Sequence, residues 1–208
     1  MTTSTDILRV SGSISVGETG ISAQTRATIL KQEANAVFPI RLTDLRVWDA
    51  YQTNLPGTAA TDDLALSGGT FATSPPVISA GDLKAAGATT RYARFQMQLP
   101  ECYDAGETVT LSLAAGMKTT VADTSCTVDV QCYRIDKISG IGSDLCTTAA
   151  ATMNSLIFAD KDFTITPSGL VPGDVLDVRI AIACNDAATA TAVTPTIAAI
   201  ELVCDIKG

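Results

Sequence analysis

Acid–base or nucleophilic chemistry would have to be assembled here without histidine, because none occurs among the 208 residues. That removes the commonest general base and the Ser–His and Cys–His nucleophile pairs. Carboxylates remain. Asp160 and Asp162 flank Lys161, and Asp62 adjoins Asp63. Neighbours in sequence on an extended chain point to opposite faces, so these acids read as solvated side chains rather than as a paired acid and base. A Ser–Lys or carboxylate-pair hydrolase stays open only as a third reading. Asn185-Asp186 with Asp160 and Asp162 could offer loop oxygens to calcium, but the EF-hand spacing is absent. Gly68-Gly69 and Gly140-Ile141-Gly142 lack the lysine and helix of a phosphate loop and read as turns.

Six cysteines stand at Cys102, Cys126, Cys132, Cys146, Cys184 and Cys204. No CxxC or His/Cys pairing exists, so the chain offers no zinc set. A disulfide framework belongs to oxidising compartments and core-poor domains. Cys126, Cys132, Cys184 and Cys204 fall in phase with apolar neighbours, and the expectation is four small core hydrophobes carrying free thiols. Trp48, Tyr51 and Phe71 could stack on a sugar ring, although core packing is the ordinary explanation for the lone Trp beside Val47. No catalytic, cofactor-binding or metal-binding residue is assigned, and the chain is expected not to be an enzyme.

The formal net charge is −8, and Arg41, Arg46, Arg91, Arg94 and Arg179 are scattered among acids. Direct nucleic-acid binding needs clustered cations and is not expected. Met1 to Asp6 lacks a basic region leading into an apolar one, and no segment reaches the roughly 20 apolar residues of a membrane span. Synthesis in the cytoplasm of whatever cell makes it, with no membrane partner, is the expectation.

The elements that must position these residues are strands. From Asp174 to Cys184, Leu176, Val178, Ile180, Ile182 and Cys184 alternate with Asp177, Arg179, Ala181 and Ala183. Strict alternation predicts a strand with one face on the core. Val171-Pro172-Gly173-Asp174 before it predicts a turn with positive φ at Gly173. Similar patterns predict strands over residues 41–48 (with a bulge where the alternation slips between Leu42 and Leu45), 89–99, 108–115, 125–135, 158–166 and 194–207, with a shorter one over 144–148. In the last, Ala198, Ile200, Leu202, Cys204 and Ile206 are expected to face inward. The Gly/Pro-interrupted stretch 49–88 predicts a long loop, the favoured binding surface.

About eight strands with low aromatic content, 5%, predict an all-β antiparallel sandwich of jelly-roll type. The Thr/Ser-rich residues 1–36 form an N-terminal arm, expected to order against this chain or a neighbour, and residues 37–208 form the sandwich domain.

The chain resembles jelly-roll structural proteins of tailed bacteriophage virions, most of all capsid decoration (cement) proteins. The stretches carrying the likeness are Arg41-Leu-Thr-Asp-Leu-Arg-Val-Trp48, Gly87-Ala-Thr-Thr-Arg-Tyr-Ala-Arg-Phe95 and the run from Phe163 to Asp174. The resemblance implies a virion protein on the capsid surface, often a homotrimer, that binds the major capsid protein across neighbouring subunits. The alternative is a carbohydrate- or receptor-binding jelly-roll module of tail-fibre type, which would need aromatics and acids converging on one face.

Overall fold

Alternation decides the architecture, and it does so most clearly in β10, Val175–Asn185, where Leu176, Val178, Ile180, Ile182 and Cys184 are all buried. The computed structural model describes residues 34–135 and 140–207. Among these, the other strands are β1 (Ala34–Pro39), β2 (Ala65–Ser67), β3 (Val77–Ser79), β4 (Thr89–Gln98), β5 (Val109–Met117), β6 (Ser125–Ile135), β7 (Ile141–Asp144), β8 (Ala151–Thr152), β9 (Ala159–Ile165) and β11 (Pro195–Ile206).

They form two antiparallel sheets. One runs β2-β3-β11-β5-β9, with β1 also on β11; the other runs β4-β10-β6-β7, with β8 also on β6. Counting β3, β4, β5, β6, β7, β9, β10 and β11 as first to eighth, the sheets read first-eighth-third-sixth and second-seventh-fourth-fifth. That interleaving of two Greek keys is the jelly roll. The inner faces meet over Phe95, Phe163, Leu111, Val178, Ile180 and Leu202, each no more than 1% exposed. β10 lies between β4 and β6, so its outer face is flanked by strands on both sides.

Several expectations need correction. Residues 41–48 are not a strand: Leu42–Asp44 is a 3-10 turn in which Asp44 N–H donates to the Arg41 carbonyl at 2.9 Å. Three residues per turn is what makes the apolar pattern slip between Leu42 and Leu45. Leu45 and Val47 still reach the core. The stretch 49–88 is not all loop, since β2 and β3 pair within it and β3 joins β11. Gly142 lies within β7 rather than a turn, and 144–148 contributes only the end of β7 and a lone bridge from Cys146 to Ile165. In β11 the register shifts between Ile197 and Ala199, so Ile197 is buried and Ala198 exposed. A bulge adds one residue and swaps the face of everything before it.

The predicted Pro172-Gly173 turn forms, with Gly173 at φ 80°. Most of the expected arm, through residue 33, lies outside the described residues; Ala34 to Ala36 belong to β1, which pairs with the C-terminal half of β11.

Candidate binding face

On β10 the residues between the core positions project to the other side of the sheet, and the register aligns them with partners on β4 and β6. Four rows cross the three strands: Thr90, Ala183, Thr127; Tyr92, Ala181, Asp129; Arg94, Arg179, Gln131; and Gln96, Asp177, Tyr133. The third row places two guanidiniums directly opposite each other. Like charges in that position are destabilising, so each needs compensation.

Arg94 obtains it from Asp177. Nε donates to Oδ1 at 2.7 Å, and a second nitrogen meets Oδ2. The bidentate hydrogen bond holds the Arg94 guanidinium even more firmly protonated than usual, against the opposing effect of burial. Asp177 is 5% exposed. Arg179 forms no ion pair among the described residues; it donates to Gln131 Oε1 and lies over two rings, Trp48 at 5.5 Å and Tyr92 at 4.9 Å. Each ring face offers the cation a diffuse negative surface.

Trp48 arrives from outside the sheet. Arg46 and Arg94 exchange backbone bonds at 2.7 and 3.0 Å, Leu64 N–H reaches the Tyr92 carbonyl at 2.9 Å, and Tyr92 N–H reaches the Asp62 carbonyl at 2.7 Å. These segments complete the free edge of β4 and swing Trp48 over the face, 5.1 Å from Tyr92 between ring centres. Trp48 Nε1 donates to Asp62 Oδ2 at 3.1 Å, fixing the indole. Tyr51, from the same excursion, receives the Arg94 guanidinium over its ring at 5.2 Å.

Two depressions result. One of about 440 Å³ lies between Trp48 and Tyr133, reaching Ile141 and Asp49; the other, about 220 Å³, has Ala181 and Ala183 as its floor and Tyr92, Thr127 and Asp129 on its walls. Gln131 and Arg179 line both, so the depressions adjoin. Small floor residues make the space, and the flanking rings and polar side chains make it selective.

The residues first considered for chemistry are elsewhere or otherwise engaged. Asp162 on β9 accepts from Ser112 Oγ at 2.6 Å, and Asp160 and Asp162 are exposed. Asp62 holds Trp48, whereas Asp63 is pushed above the usual carboxylate range by burial and by the charges of Asp62 and Asp49. Its Oδ1 is buried without a hydrogen-bond partner among the described residues. Asp186 is no calcium ligand: it is fully buried and accepts the Ala85 N–H at 2.8 Å, the Asp123 N–H at 3.0 Å and the Thr189 hydroxyl. Burial works against its charge, but these donors outweigh it and hold the carboxyl below its ordinary value. Among the described residues no three His, Cys, Asp or Glu side chains are arranged to hold a metal ion.

Cys126, Cys132, Cys184 and Cys204 are buried free thiols, Cys146 is half-buried and Cys102 exposed. Cys126 and Cys184 face each other across β6 and β10, and the Cys126 thiol is pushed up by its hydrogen bond to Cys184 and by burial. Phe71 is 97% exposed on a separate loop and takes no part in the face. Of the three aromatics picked out from the sequence, Trp48 and Tyr51 are therefore brought together, but with Arg94 and Arg179 rather than with the core. Tyr92, Gln131, Tyr133 and Arg179 were missed as site residues. Their signal was available: large planar or polar side chains at the non-core phase of three long strands.

Among the described residues, a run of three exposed apolar side chains stands apart from this face. Leu156, Ile157 and Phe158, between β8 and β9, are 57%, 79% and 39% exposed. The Phe158 ring sits on Gly116 of β5, where any Cβ would come within 3.0 Å of it.

No protein-family model matches the chain, and no curated protein matches it. Among solved structures it is similar to the xylan-binding module CBM15, at 15% identity and TM-score 0.44, over 84% of this chain and 100% of that one. It is similar also to a xylan-binding domain from Paenibacillus barcinonensis, at 10% identity and TM-score 0.38, over 70% of this chain and 82% of that one. A third is a chain of infectious bursal disease virus, Gx strain, at 12% identity and TM-score 0.42, over 84% of this chain but 32% of that one. The chain thus spans about a third of the viral chain's length. No residue role passes across likenesses this distant; the chain is a jelly-roll β-sandwich by its own strand order.

Proposed function

We propose that the chain is a non-catalytic structural protein of a virus particle, one that decorates a bacteriophage capsid and stabilises it by binding across neighbouring subunits as a homotrimer. The observation that carries this reading is the run Leu156-Ile157-Phe158, three successive apolar residues that stay exposed at one end of the sandwich even with the Phe158 ring resting on Gly116. Such runs are unfavourable in a soluble monomer unless a partner covers them. The polar side chains nearby pin the loops and carry no reaction: Asn154 both accepts from Ala122 N–H at 2.8 Å and donates to its carbonyl at 2.9 Å. A rigid end presenting apolar residues is what a clamp requires. The test is co-sedimentation with capsid shells stripped of their surface proteins. Binding should saturate at a fixed ratio of chain to capsid subunit, and Ile157→Asp should abolish it while the protein stays folded; binding that is absent or unsaturable rejects the reading.

A second reading, a glycan-binding module, is favoured by one separate observation, the outer face of β4, β10 and β6. There Trp48, Tyr92, Asp129 and Gln131 converge around Arg179. Aromatic rings beside a few directed polar groups are the ordinary make-up of a small-molecule site. Glycan-array binding by the isolated protein, lost on changing the face and kept on changing Ile157, supports this reading.

A further inference from the structure

Resting on the second reading, we propose that this face takes a linear, uncharged oligosaccharide laid along β10, crossing from one depression to the other over Arg179. Three features of the face lead there.

The first is shape. The depressions share Gln131 and Arg179 and extend along β10 from beside Asp177 to Ala183. The six steps between those residues, at about 3.3 Å each, give a trough of roughly 20 Å. A single sugar ring would leave most of it empty, whereas a chain fills it.

The second is charge. Arg94 and Arg179 are set among Asp49, Asp129 and Asp177, so the trough has no cationic excess with which to capture a polyanion. Asp177 already neutralises Arg94. Closely spaced donors and acceptors are instead complementary to hydroxyl groups, each of which both donates and accepts. Asp129 and the Gln131 side chain supply acceptors and donors on one wall, and Thr90 and Thr127 supply hydroxyls beyond them.

The third is Arg179. Its guanidinium packs against the Trp48–Tyr92 ring pair and donates to Gln131, with no carboxylate to occupy its remaining donors among the described residues. A planar fork fixed by rings and by one hydrogen bond is pre-organised, so little rotamer freedom is lost when two adjacent oxygens bind it. The rings brace Arg179; the open floor of Ala181 and Ala183 leaves room for the sugar.

Calorimetric titration of the full chain with neutral xylo-, cello- and manno-oligosaccharides of one to six units, and with oligogalacturonides of the same lengths, tests this. For at least one neutral series, affinity should rise about tenfold or more between one and four units. Arg179→Ala and Gln131→Ala should each weaken that binding about tenfold, with Arg41→Ala as an unaffected control. Should Arg179→Ala fail to fold, Ala181→Trp, which fills the floor, reads the same site. Affinity independent of length, or stronger for the galacturonides, overturns the linear-neutral assignment and leaves the glycan reading standing. No binding of any saccharide removes both.

Discussion

Arg94 and Asp177 form a two-point ion pair diagonally across β4 and β10, one row away from the position where Arg94 directly faces Arg179. Asp177 thereby settles a repulsion that the register creates. The Asp177 side chain is 6% exposed and the Arg94 side chain 27%. Arg94→Ala would leave that carboxylate covered and unpaired, and should lower unfolding free energy by about 2 kcal/mol, a buried-pair value discounted for the exposed half of the pair. Urea denaturation reads the loss. Arg94→Met with Asp177→Leu should recover most of it, because no unpaired charge is then left behind.

Asp186 acts at long range in sequence, joining residues 85, 123 and 189 at one end of the sandwich. Its folded carboxyl titrates below the ordinary 3.8. The stability it contributes is therefore fully present above pH 3.8 and is lost as pH falls through the lower folded value. Asp63 has the opposite sign: raised in the fold, it favours the folded state below 3.8 and withdraws that support as pH rises through its folded value. Asp186→Asn should lower the melting temperature at pH 7 and flatten the acid limb of the stability curve, as thermal unfolding between pH 2 and 7 would show. An unchanged acid limb contradicts the assignment.

Thiol reactivity separates the cysteines. Burial pushes Cys132 up to about 12 and Cys204 to about 11. A thiol reagent at pH 8 should label exposed Cys102 in the native protein and reach Cys126, Cys132, Cys184 and Cys204 only on unfolding. Rapid native labelling of Cys184 would mean that β10 is facing the wrong way.

Ile157, 79% exposed, contributes little to the fold, so Ile157→Asp should change stability by no more than about 0.5 kcal/mol. Gly116→Val should do more, because its side chain would strike Phe158 and displace the exposed run. Comparing the two by denaturation and by shell binding distinguishes lost docking from lost structure.

Much of the sandwich was legible in the sequence. β4, β5, β6, β9 and β10 have one face on the core, and period two reports that directly. Legibility failed where the backbone leaves period two: the 3-10 turn at Leu42–Asp44, the register shift in β11, and the three-residue strands β2 and β3, too short to show alternation. The outer face was legible only in part. Trp48 and Tyr51 could be named, but Arg94, Arg179 and Gln131 come together through cross-strand register, and register is not written in any one strand.

A three-dimensional image of stripped capsid shells incubated with this chain tests the docking claim most directly. The account predicts sandwich-shaped density bridging neighbouring capsid subunits, with the Leu156–Ile157–Phe158 end buried in the contact. Particles without such density, or a sandwich attached with that end in solvent, would contradict it.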